Sequence, residues 1–568
     1  MKKILTGFMI IISMVILVSC FKTEEEKETF KITYMVDYKT YLEQTIVAGK
    51  IALEPQSPSK DNYEFKGWYL DLDFSTKYDF VDPVTSDLYL FAKFIDSNPN
   101  KPENAEFTFY YINDLHGAVL ADGSSMGLAS IANVVLTDKT NKPDETLFLG
   151  GGDLLQGQII SNYYDGASVI DILNDMKLDA FVVGNHEFDW GFEEVIMPYF
   201  NGENELQANY PILGANIYDK NTYKLIDDMG EYTIINKQGL KIAVIGTIGY
   251  GLESSISFTR VEKYIFIDPV ERTQKLAEHV RTNEGADIVI AVNHQDSSQY
   301  NEAVTRFTGN QTVDAVFNGH THYNYVRYVN GKPVIQSGAN GTYLGKLVLS
   351  YDQKNGVKVK EAINLNKYNE PRLNTEHPKV KEKVDFYHEE IEPLYEPILY
   401  SSKYYSRDEV AYFITDLMLE KTNADVAIHN FGGTRDDISQ GEGMSYSKLF
   451  QISPFDNTVV TVKILGRNLN YVLSGNANTF KTGLNQNNID PNKYYVVATN
   501  DYIYGGSSIL KAGLDVKYTG LTILDMFVEN VELQKEMGYL NWNMENRVTL
   551  TQLVSITFIN KKESYLEF

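Results

Sequence analysis

Five short segments of this 568-residue chain, each placed where an apolar run ends, do most to fix what it can fold into. They are Asn113-Asp114-Leu115-His116-Gly117, Gly151-Gly152-Asp153, Gly184-Asn185-His186-Glu187, Asn293-His294 and Gly319-His320-Thr321-His322. The runs before them, FTFYYI, TLFL, DAFVV, ADIVIAV and VDAVF, read as β-strands. In an α/β fold the segments would all emerge at one edge of a sheet, where open α/β folds place their sites.

The candidate ligands in these segments are two Asp, one Asn and four His, a hard oxygen and imidazole set suited to zinc, manganese or iron. Thiolate ligation is excluded, because the chain has one cysteine and it lies in the leader. In Asp114-x-His116 and His320-x-His322 an extended backbone turns both side chains to the same side. Seven ligands exceed one tetrahedral shell but fit two ions if one carboxylate bridges, and ions held about 4 Å apart acidify a shared water for in-line attack on phosphorus. Isolated Asp and His also cap turns or fill cores, yet five of the nine histidines fall in these five segments.

From about Phe107 to Ser350 the chain resembles the calcineurin-like metallophosphatase domain of the secreted 5′-nucleotidase and UDP-sugar hydrolase family. The resemblance implies that Asp114, His116, Asp153 and His322 hold one divalent ion, of zinc or manganese type, and that Asp153, Asn185, His294 and His320 hold the other. Asp153 is then the bridge. In the GNHEFD segment, Gly184 to Asp189, the family uses the histidine and the following aspartate as a catalytic pair, here His186 and Asp189. His186 donates to the charge developing on phosphate, and Asp189 fixes its tautomer and orientation.

The length allows about three domains. Met1-Lys2-Lys3, an apolar stretch to Val18 and Leu17-Val18-Ser19-Cys20 read as a secretory leader ending in a bacterial lipobox, with residues 1–19 removed and lipid attached to Cys20. That implies a lipid anchor on the extracellular face of a bacterial cell membrane; an ordinary secretory signal is the alternative. A formal charge of -25 argues against nucleic acid and against steering to an anionic membrane surface, so phosphate must be met by local cations and metals. Residues 20–29 form a charged tether. Residues 30–95, with Phe65-Lys66-Gly67-Trp68-Tyr69, resemble one internalin-type B-repeat, or Listeria-Bacteroides repeat; Trp68 is expected in its core, and cell-surface contact is the role such a module suggests. Residues 96–106 are a polar linker, 107–365 the metallophosphatase domain, and 376–396 a connecting helix, which in the family joins domains that rotate.

Residues 401–568 resemble the family's C-terminal nucleotidase domain. Asn430-Phe431-Gly432-Gly433-Thr434-Arg435 matches its substrate loop, and Ser453-Pro454-Phe455-Asp456-Asn457 the segment with a base-stacking aromatic. Asn430, Gly432, Gly433, Arg435 and Phe455 are the expected substrate-binding residues, with Arg407 a further candidate. The family's second stacking aromatic falls on Ile509, which leaves Tyr502 or Tyr504 as substitutes. The expected whole is multidomain: a small β-grasp-like N-terminal module, a four-layer α/β/β/α metallophosphatase domain and an α/β C-terminal domain. Hydrolysis of nucleotide phosphate esters is the activity this implies; a UDP-sugar or 2′,3′-cyclic nucleotide hydrolase and a surface binding protein are the alternatives. If Cys20 carries the anchor, Cys20→Ala should release the protein from the membrane fraction or leave its leader uncleaved, as fractionation and mass analysis of the N-terminus will show.

Overall fold

The computed structural model describes residues 28–546 apart from 38, 61–62, 73, 97–100 and 456. The leader with Cys20, most of the tether and residues 547–568 lie outside the described residues. The described residues up to 96 form one compact unit, and most of the other described residues form another. Among the described residues no helix is long and apolar enough to cross a membrane.

The first unit is a four-stranded sheet in the order Lys39–Val47, Thr29–Val36, Leu88–Asp96, Tyr63–Tyr69. The central pair is parallel and the outer pairs are antiparallel. Trp68 is fully buried, with Tyr34 edge-on at 4.9 Å and Phe65 at 5.5 Å, so it fills the core of a small domain as the sequence led us to expect.

The second unit is built on two six-stranded sheets stacked face to face. One runs Gly356–Leu365, Leu344–Asp352, Asn104–Ile112, Thr146–Gly150, Ala180–Val182, Ile212–Leu213; the other runs Tyr232–Lys237, Leu240–Ile248, Ile288–His294, Ala315–Asn318, Lys332–Ser337, Asn324–Val329. Side chains of Asn104–Ile112 alternate as a strand's must: Phe107, Phe109 and Tyr111 enter the inter-sheet core against Val292, Phe317 and Ile335, while Tyr110 and Ile112 face the outer helices. Helices Leu128–Asn141 and Ala167–Asp175 cover one outer face. Pro269–His279 and Ser298–Thr305 cover the other, completing four layers. The strands that lead into the five polar segments are parallel within each sheet, so their C-terminal ends share an edge.

Helix Pro378–Ile391 follows, in the segment read as a connecting helix, and packs on helices Leu128–Asn141 and Ala167–Asp175. Lys383 bridges Asp171 at 2.6 Å and Asp175 at 2.9 Å, and the Tyr387 hydroxyl donates to Asp171 at 3.0 Å. The C-terminal domain is a mixed five-stranded sheet, ordered Asn476–Phe480, Val426–Asn430, Tyr494–Asn500, Thr458–Leu465, Leu514–Thr522. Helices Arg407–Thr422 and Ile523–Glu536 close over it through a knot of Phe413, Phe527 and Trp542. Trp542 is wholly buried and its Nε1 donates to Asn530 at 3.0 Å. Trp542→Ala should destabilise this domain by about 3–5 kcal/mol through the cavity it opens, read as a lower thermal midpoint.

Candidate metal centre and substrate cavity

All five polar segments meet at the shared sheet edge. Asp114, His116 and His322 form one group whose ligating atoms lie within 4.8 Å of one another, and Asp153, His294 and His320 form a second. Asn185 joins the second group, its Oδ1 being 2.8 Å from His320 Nδ1. His116 Nε2 and His322 Nε2 face each other at 3.0 Å, and His322 Nε2 lies 3.5 Å from Asp114 Oδ1.

The backbone that achieves this differs from the extended one expected. Asp114 and His116 have φ of 49°, Asp153 52°, His320 72° and His322 59°, all in the left-handed region. Extended D-x-H and H-x-H segments would spread their side chains along the sheet edge; coiling them tightly turns the side chains toward a point. The strain is held by neighbouring backbone, with Asp114 N donating to Gly152 O and His116 N to Asp153 O, each at 2.9 Å. Glycine provides the room. A Cβ at Gly184 would stand 2.3 Å from Asp153 Oδ1, and one at Gly152 2.5 Å from His294 Nδ1.

These residues fit divalent cations. Asp153 Oδ2 and His294 Nε2 are buried 3.0 Å apart, yet neither completes a hydrogen bond, which is how two ligand atoms aimed at a common ion lie. His294 Nδ1 lies 2.7 Å from Gly151 O and His116 Nδ1 3.0 Å from Gln156 O; donation to these carbonyls leaves each Nε2 free to ligate. Burial pushes His320 and His322 down to about 4 and, with His186 nearby, His116 well below its ordinary value, so these imidazoles are neutral. Burial lifts Asp114 to about 7, whereas at Asp153 the neighbouring His294 and His186 overcome burial and hold the carboxyl well below the usual carboxylate range.

His186 belongs to neither group. Its Nδ1 meets Asp189 Oδ2 at 2.6 Å and its amide donates to Asp153 Oδ1 at 2.8 Å. Burial would lower its pKa, but Asp189 and Asp153 outweigh burial and raise it. Two residues in or beside these segments had no role in the sequence reading. Glu187, fully enclosed, accepts from the amides of Gly184 (2.8 Å), Asp153 (2.9 Å) and Leu154 (2.9 Å), binding two ligand loops together; its place in the Gly184–Glu187 segment was the only signal. Asn113 donates to Asp114 Oδ2 at 2.6 Å and to Gly338 O at 2.8 Å.

A cavity of about 440 Å³ opens beside His186, Asn185 and His320 and extends to the C-terminal domain. Asn430, Gly432, Gly433, Arg435 and Phe455 line it, as do Trp190 and Tyr502. Phe455 stacks on His186 at 5.8 Å, and the Arg435 guanidinium stands 5.9 Å from the Phe455 ring centre. Gln156 Nε2 donates to Pro454 O at 2.7 Å across the two domains. Arg407 lies elsewhere than these: it lines a second, polar cavity beside His116 and His322, and its Nε and Nη2 donate to Thr434 O at 3.1 and 2.8 Å. Ile509 is not on the main cavity. It lies half-buried against the core of the C-terminal sheet, while Tyr502 is on the cavity wall, its hydroxyl donating to Ser254 O at 2.9 Å. Tyr504 pairs with Tyr518 at 6.0 Å.

Two stacked sheets with carboxylate, amide and imidazole side chains converging at one edge define a two-metal phosphoesterase scaffold. Residues 107–324 match the Calcineurin-like phosphoesterase family, 398–486 the 5′-nucleotidase C-terminal domain and 30–93 the Listeria-Bacteroides repeat domain. The chain thus carries a calcineurin-like phosphoesterase domain followed by a 5′-nucleotidase C-terminal domain. It is 23% identical over 407 residues to endonuclease YhcR of Bacillus subtilis, covering 66% of this chain and 33% of that protein. To a 5′-nucleotidase of Vibrio cholerae it is 27% identical over 420 residues, covering 64% of this chain and 74% of that one. It thus spans about a third of the length of the first relative. The fold is shared with a 5′-nucleotidase precursor from Thermus thermophilus, at a TM-score of 0.64 and 19% identity over 75% of this chain and 96% of that one.

Purified protein should hold about two divalent ions per chain and lose activity to a chelator. Asp153→Asn, which preserves the left-handed backbone, should drop the metal content measured after dialysis to about one ion or fewer.

Proposed function

We propose that the protein hydrolyses phosphate monoesters of nucleotides. The observation that carries this reading is the joining of the two ligand groups to a cavity walled by Phe455, Tyr502 and Arg435 of the C-terminal domain. Aromatic side chains on the wall suit a nucleobase, and a guanidinium near the ligand groups suits a phosphate. In this reading Asp114, His116, Asp153 and His322 hold one ion and Asp153, Asn185, His294 and His320 the other. When bound, such ions supply Lewis acidity and an acidified water.

The chain's own residues do the rest. Asp189 accepts the Nδ1 proton of His186 and so leaves Nε2 to present a proton toward a phosphoryl oxygen as negative charge grows there. Phe455, stacked on His186, shields that proton from water on one side. Arg435 orients the phosphate end of the substrate, and Arg407 braces the loop that carries Arg435 through the Thr434 carbonyl. The V. cholerae relative named a 5′-nucleotidase supports the substrate class. In the same reading the leader would direct the protein outside the cell, held by a lipid at Cys20, and the repeat module would offer cell-surface contact.

Phosphate release by the metal-loaded protein from AMP, UDP-glucose and 2′,3′-cyclic AMP tests the reading, and the largest kcat/KM is expected on AMP. His186→Ala should keep its metal and lose roughly two to four decades in kcat; joint loss of metal and activity would make His186 a ligand. Arg435→Ala should raise KM for AMP about tenfold or more, on the basis of about 1.5–3 kcal/mol for a charge-assisted hydrogen bond, and leave p-nitrophenyl phosphate much less affected. Equal losses on both esters would assign the arginine to the fold or the metal centre.

A further inference from the structure

Asn430, on the wall of the main cavity, belongs to a chain of hydrogen bonds whose direction is set from outside the cavity. Asn500 is fully buried and is the N-cap of the short helix Asp501–Gly506, which carries Tyr502. The amide of Ile503 donates to Asn500 Oδ1 at 2.8 Å, and a backbone N–H can only donate. That bond fixes which end of the Asn500 amide is oxygen. Its Nδ2 must then donate, and it does so to Asn430 Oδ1 at 2.8 Å, with His429 Nδ1 at 3.3 Å as a second acceptor. His429 Nε2 in turn lies 3.2 Å from Thr434 Oγ1, which agrees with a neutral ring protonated at Nε2. With Asn430 Oδ1 occupied, Asn430 Nδ2 is left without a hydrogen-bond partner among the described residues. It lies toward Gly432, where a Cβ would stand 3.8 Å from it, and Gly432 also lines the cavity.

We infer that Asn500, which lies behind the cavity wall, is a specificity-determining positioning residue: through Asn430 it makes that part of the wall a hydrogen-bond donor, matched to nucleosides that present a lone pair there. This rests on the nucleotide reading above and adds the polarity of the nucleoside pocket. Asn500→Asp keeps the shape and the helix cap, since aspartate also accepts from Ile503 N. It replaces Nδ2 with an oxygen facing Asn430 Oδ1, so the Asn430 amide must turn over and present its oxygen to the cavity.

The test uses the full chain with its metals and an uncharged probe. Adenosine is assayed as a competitive inhibitor of p-nitrophenyl phosphate hydrolysis, so that a simple effect of the added charge on phosphate binding is separated from an effect on the nucleoside. Asn500→Asp should raise the adenosine inhibition constant and the KM for AMP at least tenfold, with KM for p-nitrophenyl phosphate within twofold. Asn430→Asp, which also puts an oxygen on the cavity side, should likewise raise the adenosine inhibition constant. Asn500→Ser keeps the cap but removes Nδ2 from its place beside Asn430, and carries the test if the aspartate variant melts early; a rise of about threefold to tenfold is expected. An unchanged adenosine constant in folded Asn500→Asp or Asn500→Ser, or an equal loss on p-nitrophenyl phosphate, overturns the inference. Wild-type protein that hydrolyses p-nitrophenyl phosphate but neither binds adenosine nor hydrolyses AMP overturns the nucleotide reading, and the inference with it.

Discussion

Convergence of polar side chains on two points is the constraint to which the rest of the molecule answers. Carboxylates and imidazoles taken out of water repel or stay unsatisfied unless a cation or a fixed dipole meets each of them. Here the answer is built into two sheets. Parallel strands in each bring their C-terminal ends to one edge, and the inter-sheet core of Phe107, Phe109, Phe317 and Ile335 locks the edges together. The loops are then too short to wander, and their amides are committed to Glu187, Asp153 and Asp114. Rigidity at the edge follows from burial behind it.

The C-terminal domain meets this centre with few polar links, such as Gln156 to Pro454 and Tyr502 to Ser254, and with the stacked pair of His186 and Phe455. In the proposed reading, chemistry and recognition are therefore carried on different parts of the chain. The ligand groups come from residues 114–322, while Asn430, Arg435, Phe455 and Tyr502 come from the C-terminal domain.

Much of this was legible in the sequence because strand ends and ligand types coincide. Each apolar run predicted its strand, and each polar segment sits where its run stops. The expectation that failed was local. A spacing of two residues suggested extended backbone, but Asp114, His116, His320 and His322 sit in the left-handed region because tertiary hydrogen bonds, absent from any local pattern, coil the loops. Which side chain stands in for the second stacking aromatic could not be read from the glycine register alone: Tyr502 lies on the helix capped by Asn500 and lines the cavity, while Ile509 lies on the next short helix, Ser508–Lys511, half-buried against the C-terminal sheet. Glu187 was visible but silent, since nothing in a sequence tells a carboxylate that binds metal from one that binds backbone amides.

The left-handed backbone at five positions of the two candidate ligand groups also narrows how this centre can evolve. Asparagine, aspartate and histidine enter that region several-fold more readily than other side chains, and β-branched or bulky residues do so at real cost. The ligand alphabet is thus filtered twice, once by the metal's taste for oxygen and imidazole and once by the Ramachandran map. A glutamate or cysteine installed at Asp114, His116 or His322 would have to satisfy coordination and also carry a backbone penalty that aspartate and histidine largely escape. Drift at these sites is channelled toward exchanges within the small set Asp, Asn and His, while the wall residues of the cavity, on ordinary backbone, are left open to change.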